Sequence, residues 1–113
     1  MTEDELKFDF YEVISVEDLN PGERIFIEVD DMTVVLFNIA GKIFAIEDRC
    51  THDDGPLGEG ELEGHEIICP RHGARFDVRD GTALTLPAIE PTQYFPTRII
   101  NGQIEIGIPV QEE

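Results

Sequence analysis

Tryptophan is absent from this sequence, and lysine occurs only at Lys7 and Lys42. Positive charge is scarce altogether: 8 bases stand against 25 acids, for a net charge of −17. Such a surface repels nucleic acid and anionic membrane alike, which excludes both as partners. It fits a positively charged protein partner, which the field steers into contact. It serves equally to keep a monomer soluble, and acid excess with few lysines also suits a salty cytoplasm. Long apolar runs are missing too: none reaches the roughly 18 residues that span a bilayer. The N-terminal stretch MTEDELKFDF is acidic, unlike a secretory leader. The expectation is a cytoplasmic protein whose thiols stay reduced.

What is present reads as β structure. With 113 residues, the chain is expected to form a single domain, 1–113, able to bury a modest core. In IFIEV (25–29), Ile25, Ile27 and Val29 share one face. TVVLFNI (33–39) and KIFAI (42–46) are β-rich runs joined at Ala40-Gly41. Near the end, RII (98–100) and QIEIGI (103–108) flank Asn101-Gly102, the preferred two-residue hairpin turn. Asp80-Gly81, between FDV and TALTL, reads the same way. Only SVEDLNPGE (15–23) suggests a short helix, with Ser15 and Asp18 as a capping pair, or else a simple turn. Short strands at regular spacing predict an all-β antiparallel sandwich or barrel. The acidic ends, 1–6 and 111–113, are expected to be mobile.

One stretch breaks this rhythm. Residues 50–77, CTHDDGPLGEGELEGHEIICPRHGARFD, hold both cysteines and all three histidines. The first fifteen residues contain four glycines and a proline, so the backbone there wraps around something rather than forming a regular element. Leu62 and Ile67-Ile68 supply a short hairpin within it. Cys50-Thr51-His52 is one sulfur–nitrogen pair, and Cys69-Pro70-Arg71-His72 is a second, 16 residues further on. Two such loops offer two thiolates and two imidazoles to one inorganic site. A disulfide, two unrelated buried thiols, and a tetrahedral zinc ion are the competing readings. Cytoplasmic reduction opposes the first, and the paired spacing leaves the second unexplained. Zinc sites of this donor set usually pair cysteine with cysteine and histidine with histidine. A mixed pair in each loop suits a binuclear centre better.

The pattern C-x-H, 16 residues, C-x-x-H strongly resembles that of the Rieske ferredoxins, small electron carriers with a [2Fe–2S] cluster. Pro56-Leu57 after the first pair, His72-Gly73, Phe76-Asp77 and Gly81-Thr82-Ala83-Leu84 extend the resemblance over about 44–91. It implies a Rieske-type antiparallel β-sandwich or barrel, with a cluster-binding subdomain of two ligand loops at about 48–80. It also implies that Cys50 and Cys69 bind an inner iron, and that His52 and His72 bind an outer iron near the surface. Two neutral imidazoles in place of thiolates make the site less negative than an all-cysteine one, which raises its potential. More positive iron should also acidify the free ring nitrogens, so the potential should fall at alkaline pH.

High-potential members of the family carry two further cysteines, which link the loops. Those positions here are Gly55 and Arg71. Their serine and tyrosine hydroxyl donors are Ala74 and Phe76 here. Fewer donors to the cluster imply a potential near the low end of the family's range of about −150 to +300 mV. LPAIEP (86–91) resembles the family's covering loop, with Pro87 excluding water. His65 reads as an exposed turn residue. Arg71, Arg75, Asp53 and Asp54 read either as a docking surface or as solvated charges. The function implied is one-electron transfer between a reductase and a terminal oxygenase, with no catalysis by the chain itself. The small subunit of an assimilatory nitrite reductase, a role in cluster assembly, and a metal-stabilised interaction module are the alternatives.

Overall fold

The computed structural model describes residues 8–110; the acidic ends, 1–6 and 111–113, lie outside the described residues. The strands are β1 Phe8–Ser15, β2 Arg24–Val29, β3 Met32–Ile39, β4 Lys42–Glu47 and β5 Leu62–Glu63, then β6 Glu66–Ile68, β7 Arg75–Asp77, β8 Tyr94–Phe95, β9 Thr97–Ile100 and β10 Gln103–Pro109. They form three antiparallel sheets, ordered β1-β10-β9, β2-β3-β4-β8 and β5-β6-β7. The all-β expectation is met.

The middle sheet explains why TVVLFNI is continuously apolar rather than alternating. Successive residues of a strand face opposite sides, and here both sides are covered. Val34 and Leu36 of β3, with Ile43 and Ala45 of β4, pack against Ile104, Ile106 and Ile108 of β10. Val35, Phe37 and Ile46 face the other way, onto Leu57, Ile67, Phe76 and both cysteines. One core therefore joins the first two sheets, and a second core seats the small third sheet and the loops around it.

Two of the expected turns form as read. Ala40 (φ 54°) and Gly41 (φ 92°) reverse the chain between β3 and β4, and Asn101 (φ 52°) and Gly102 (φ 77°) do so between β9 and β10. A third two-residue turn carries no glycine: Asp30 (φ 48°) and Asp31 (φ 67°) join β2 to β3. Aspartate tolerates this left-handed region better than most residues, but it gives a weak signal in sequence. One open reading closes on the turn, and one expectation changes. The segment 15–23 forms only a 3-10 turn, Val16–Asp18, whose start is capped by Ser15 Oγ accepting from the Glu17 amide at 3.3 Å. Asp80-Gly81 does not make a two-residue hairpin. Asp77 N–H donates to Thr82 C=O at 2.9 Å, leaving a four-residue loop between them. TALTL then pairs only at Ala83, opposite Phe76, because Gly81 turns the chain towards Thr92, whose N–H donates to the Gly81 carbonyl at 2.9 Å.

Candidate metal centre

The two short loops share one backbone frame. Cys50 N–H donates to Gly55 C=O at 2.8 Å, and Asp54 N–H returns to Cys50 C=O at 2.7 Å. Cys69 N–H donates to Ala74 C=O at 2.7 Å, and Gly73 N–H returns to Cys69 C=O at 3.0 Å. In each loop the fourth residue after the cysteine is left-handed: Asp54 at φ 61° and Gly73 at φ 75°. A tight loop of this kind folds the residues between the two bonds outward. The histidine occupies the second place after Cys50 and the third after Cys69.

Other elements hold these frames in place. The second loop runs directly between β6 and β7, whose Ile67 and Phe76 are fully buried. The first loop continues through residues 56–60, which lack regular structure and are tied by side chains instead. The Asp48 carboxylate accepts from the amides of Leu57, at 2.8 Å, and Gly58. Arg24, stacked 5.3 Å over the Phe37 ring, donates to the carbonyls of Gly58 and Gly60. At Gly60 a Cβ atom would run into the Ile68 carbonyl, so the chain can approach β6 this closely only without a side chain. Thr51 Oγ1 donates to the Glu90 carbonyl at 2.6 Å, and Thr92 Oγ1 to the Arg49 carbonyl at 2.9 Å. These bind residues 85–92 beside the first loop. Asp48, Arg24, Thr51 and Thr92 were not singled out from the sequence, where an isolated polar residue gives no sign of a distant backbone partner.

The two loops bring their cysteines into one buried cluster and their histidines together at the surface. Cys50 and Cys69 are fully buried in the same apolar cluster as Leu57, Ala74, Phe76 and Ala88. Burial pushes the Cys50 thiol up. Its Cys69 neighbour adds to this, while a backbone bond to His52 opposes it. Such a thiol releases its proton to solvent readily only when a cation against it stabilises the thiolate. His52 and His72 are exposed on the outside, their rings 5.1 Å apart and edge to face at 88°. Two buried sulfurs beneath two exposed nitrogens suit a small binuclear core with an inner and an outer metal. Among the described residues, no three His, Cys, Asp or Glu side chains converge on a single ion. His65 stands apart in the β5–β6 turn, half-buried with its ring edge to face on Phe44.

The charges around the site are paired. Arg49 meets Asp54 and Glu47. Arg75 reaches Glu63 at 2.9 Å and Glu66 at 3.3 Å. Arg71 grips Asp53 from the opposite loop, and this guanidinium holds the Asp53 carboxyl well below the usual carboxylate range. Beside the site, Leu86 and Ile89 are 76% and 79% exposed, whereas Ala88 between them is buried. A cleft of about 460 Å³ lined by Asp30, Met32, Glu47, Gln93, Phe95, Ile108 and Pro109 touches none of Cys50, His52, Cys69 and His72.

An all-β domain with paired Cys/His loops, cysteines buried and histidines exposed, is the class this geometry defines. The Rieske [2Fe-2S] domain family model matches residues 9–96. The chain is 38% identical over 95 residues, 83% of its length and 89% of the relative's, to the 3-phenylpropionate/cinnamic acid dioxygenase ferredoxin subunit of Shigella flexneri. It is 33% identical over 97 residues, 86% of its length and 93% of the relative's, to the naphthalene 1,2-dioxygenase system ferredoxin component of Pseudomonas putida. Among solved structures, the ferredoxin of carbazole 1,9a-dioxygenase from Nocardioides aromaticivorans IC177 superposes with a TM-score of 0.80 at 28% identity, covering 89% of this chain and 98% of that one. A second similar structure, at TM-score 0.81 and 28% identity over 92% of this chain and 97% of that one, is from a complex of reduced oxygenase and oxidized ferredoxin in carbazole 1,9a-dioxygenase. The chain belongs to the Rieske [2Fe–2S] domain family, and its cofactor is a Rieske-type [2Fe–2S] cluster. No helix among the described residues is long and apolar enough to cross a membrane.

Proposed function

We propose that this chain is the cytoplasmic ferredoxin of a multicomponent dioxygenase, with Cys50, Cys69, His52 and His72 as the cluster ligands. The observation that carries this reading is the pair of buried thiols beneath two exposed, edge-to-face imidazoles. When bound, the cluster supplies a reversible one-electron store. The chain's own residues do the rest. Cys50 and Cys69 anchor the inner side within the apolar layer of Leu57, Ala74, Phe76 and Ala88, which excludes water. His52 and His72 present the outer side to solvent, where a partner can approach closely. Four protein donors fill the site, so no position remains for substrate; the chain passes single electrons between partners and transforms no substrate of its own.

The docking face follows from the same geometry. Leu86 and Ile89 stand exposed on a loop bound to the first ligand loop through Thr51. An apolar patch beside the imidazoles suits a transient partner contact. The net charge of −17 steers that contact towards basic surfaces on a reductase and then on a terminal oxygenase. The two cores share β3 and β4, which supports a single domain acting as one monomeric unit, with 48–80 as its cluster-binding part. The reading is tested by anaerobic reconstitution followed by iron and sulfide assay, electron paramagnetic resonance of the reduced protein, and reduction by a flavin reductase with re-oxidation by an oxygenase. Two irons and two sulfides per chain with a mixed Cys/His signature are expected. An all-cysteine signature, or stable zinc in place of iron, would defeat it.

A further inference from the structure

The two ligand loops are joined by a single side chain. Arg71 projects from the second loop and places three N–H groups on the first. Its Nε donates to Asp53 Oδ2 at 2.6 Å, its Nη2 to Asp53 Oδ1 at 2.8 Å, and its Nη1 to the Pro56 carbonyl at 2.6 Å. Among the described residues, no other hydrogen bond from a nitrogen or oxygen donor crosses between 50–56 and 69–74. The first loop is shaped to receive it. A Cβ on Gly55 would lie 2.7 Å from Arg71 Cζ and 2.8 Å from Nη2, so the guanidinium lies flat against a backbone left bare for it. Asp53 also approaches His72, with Oδ2 3.7 Å from Nδ1, which places the clamp directly beside the imidazoles.

We infer that Arg71, received by Asp53, Pro56 and the bare backbone of Gly55, is a positioning residue: an ionic clamp that closes the two ligand loops and fixes the imidazoles relative to each other. An ordinary surface ion pair contributes little. This one is bidentate and planar with a third bond to a fixed carbonyl, the geometry in which arginine gives direction as well as attraction. Its side chains are only partly exposed, at 33% and 25%. A clamp of this kind holds the donors still while the electron arrives and leaves, so little rearrangement accompanies transfer. The inference rests on the ligand assignment proposed above.

Three variants of the loaded protein test it: Arg71→Met, Arg71→Lys and Gly55→Ala. Arg71→Met loses both charge and fork. Arg71→Lys keeps the charge but cannot bond bidentately. Gly55→Ala removes no charge and no donor, and only displaces the guanidinium. Each is assayed for the rate of cluster bleaching by an iron chelator, the midpoint potential, and the resonance signature. All three should bleach about fivefold faster than the parent protein, a factor at the upper end for losing a partly exposed ion pair. Geometry and charge then separate. The potential should fall only in Arg71→Met, which loses positive charge near the outer metal, and stay at the parent value in the other two. The resonance signature should shift in all three. Failure of every variant to load, beside a loaded parent, would equally show the clamp to be required. Arg71→Met and Gly55→Ala bleaching at the parent rate with unaltered spectra would overturn the clamp and leave the ligand assignment standing. A parent protein that takes up no iron and sulfide would defeat the ligand assignment instead.

Discussion

The two ligand loops have the same backbone frame and are supported in opposite ways. The loop at 69–74 is the connection of a β-hairpin, and its position is set by apolar burial of Ile67 and Phe76 on either side. The loop at 50–55 lies within the fourteen residues, 48–61, that connect β4 to β5 without regular structure. Its position is set by polar tethers: Asp48 on two amides, Arg24 on two carbonyls, Thr51 on the loop at 85–92. Burial is nondirectional and tolerates exchange of one apolar side chain for another. Tethers demand particular groups at particular distances. The first loop should therefore fail by loss of single polar atoms, and the second by loss of volume.

The largest effect removes what both loops share. Cys50→Ala should prevent cluster assembly, seen as loss of visible absorbance and of iron and sulfide after reconstitution. Hydrogen exchange should rise most across 50–60, where polar tethers rather than apolar burial hold the chain without the cluster. If Cys50→Ala loaded fully, the sulfur assignment would fall. Replacing His52 or His72 by cysteine asks less of the site. If the cluster survives, its potential should drop, since a thiolate returns negative charge to the outer metal.

The next two predictions set one support against the other. Phe76→Ala should cost about 3–5 kcal/mol of global stability, the range for emptying a buried aromatic position. It should lower the denaturant midpoint of the whole chain, because Phe76 belongs to the core shared with β3 and β4. Asp48→Asn keeps the shape and removes the charge that accepts from two amides. About 1–3 kcal/mol is expected, confined to residues 48–60 and visible as faster amide exchange at Leu57 and Gly58. Equal and global effects from both variants would erase the distinction between the loops.

The same difference sets how much could be read from the sequence. β3, β4, β9 and β10 were legible because apolar periodicity and glycine turns are local properties. The two Cys/His pairs stood out because cysteine and histidine are scarce here and cluster in one stretch. The β5–β6 hairpin was legible from Leu62 and Ile67-Ile68, whereas the β6–β7 hairpin that carries the second loop was not. The first loop's tethers were not: Arg24 lies 34 residues from the Gly58 carbonyl it reaches, and no local pattern marks it. β1, Phe8–Ser15, was missed for a related reason. It pairs with β10 at the far end of the chain, and only one of its residues in two is apolar. Arg71, Arg75, Asp53 and Asp54 were noticed, but sequence could not say that each had a partner, which removes them as free docking charges.

A smaller contrast lies in the left-handed position of each frame. Gly73 has open space where a Cβ would go, so Gly73→Ala should cost only the backbone strain, about 1–2 kcal/mol. Asp54→Gly removes that strain and also breaks the pair with Arg49. The two terms oppose, and the net change should fall within about 0.5 kcal/mol of zero. A large loss from Asp54→Gly would show that Arg49 is a further tether of the first loop.

The smallest effect is read by pH, at the far end of the second loop's hairpin. Asp77 is buried at the end of β7, and Arg79 holds its carboxyl below the usual carboxylate range through side-chain bonds of 2.7 to 3.3 Å. Its folded value thus lies below its unfolded one, near 4. The stabilisation is fully present above the unfolded value and is lost as pH falls through the folded value. Asp77→Asn cannot titrate there, so it lacks the contribution at pH 7 and has none to lose in acid. The difference in urea midpoint between parent and Asp77→Asn should be constant from pH 7 to about 5 and shrink below about 4. Subtraction cancels every other acid-sensitive group, including the ligands. A difference that widened in acid would mean that Asp77 gains a proton on folding, and the Arg79 pair would not be what holds this corner.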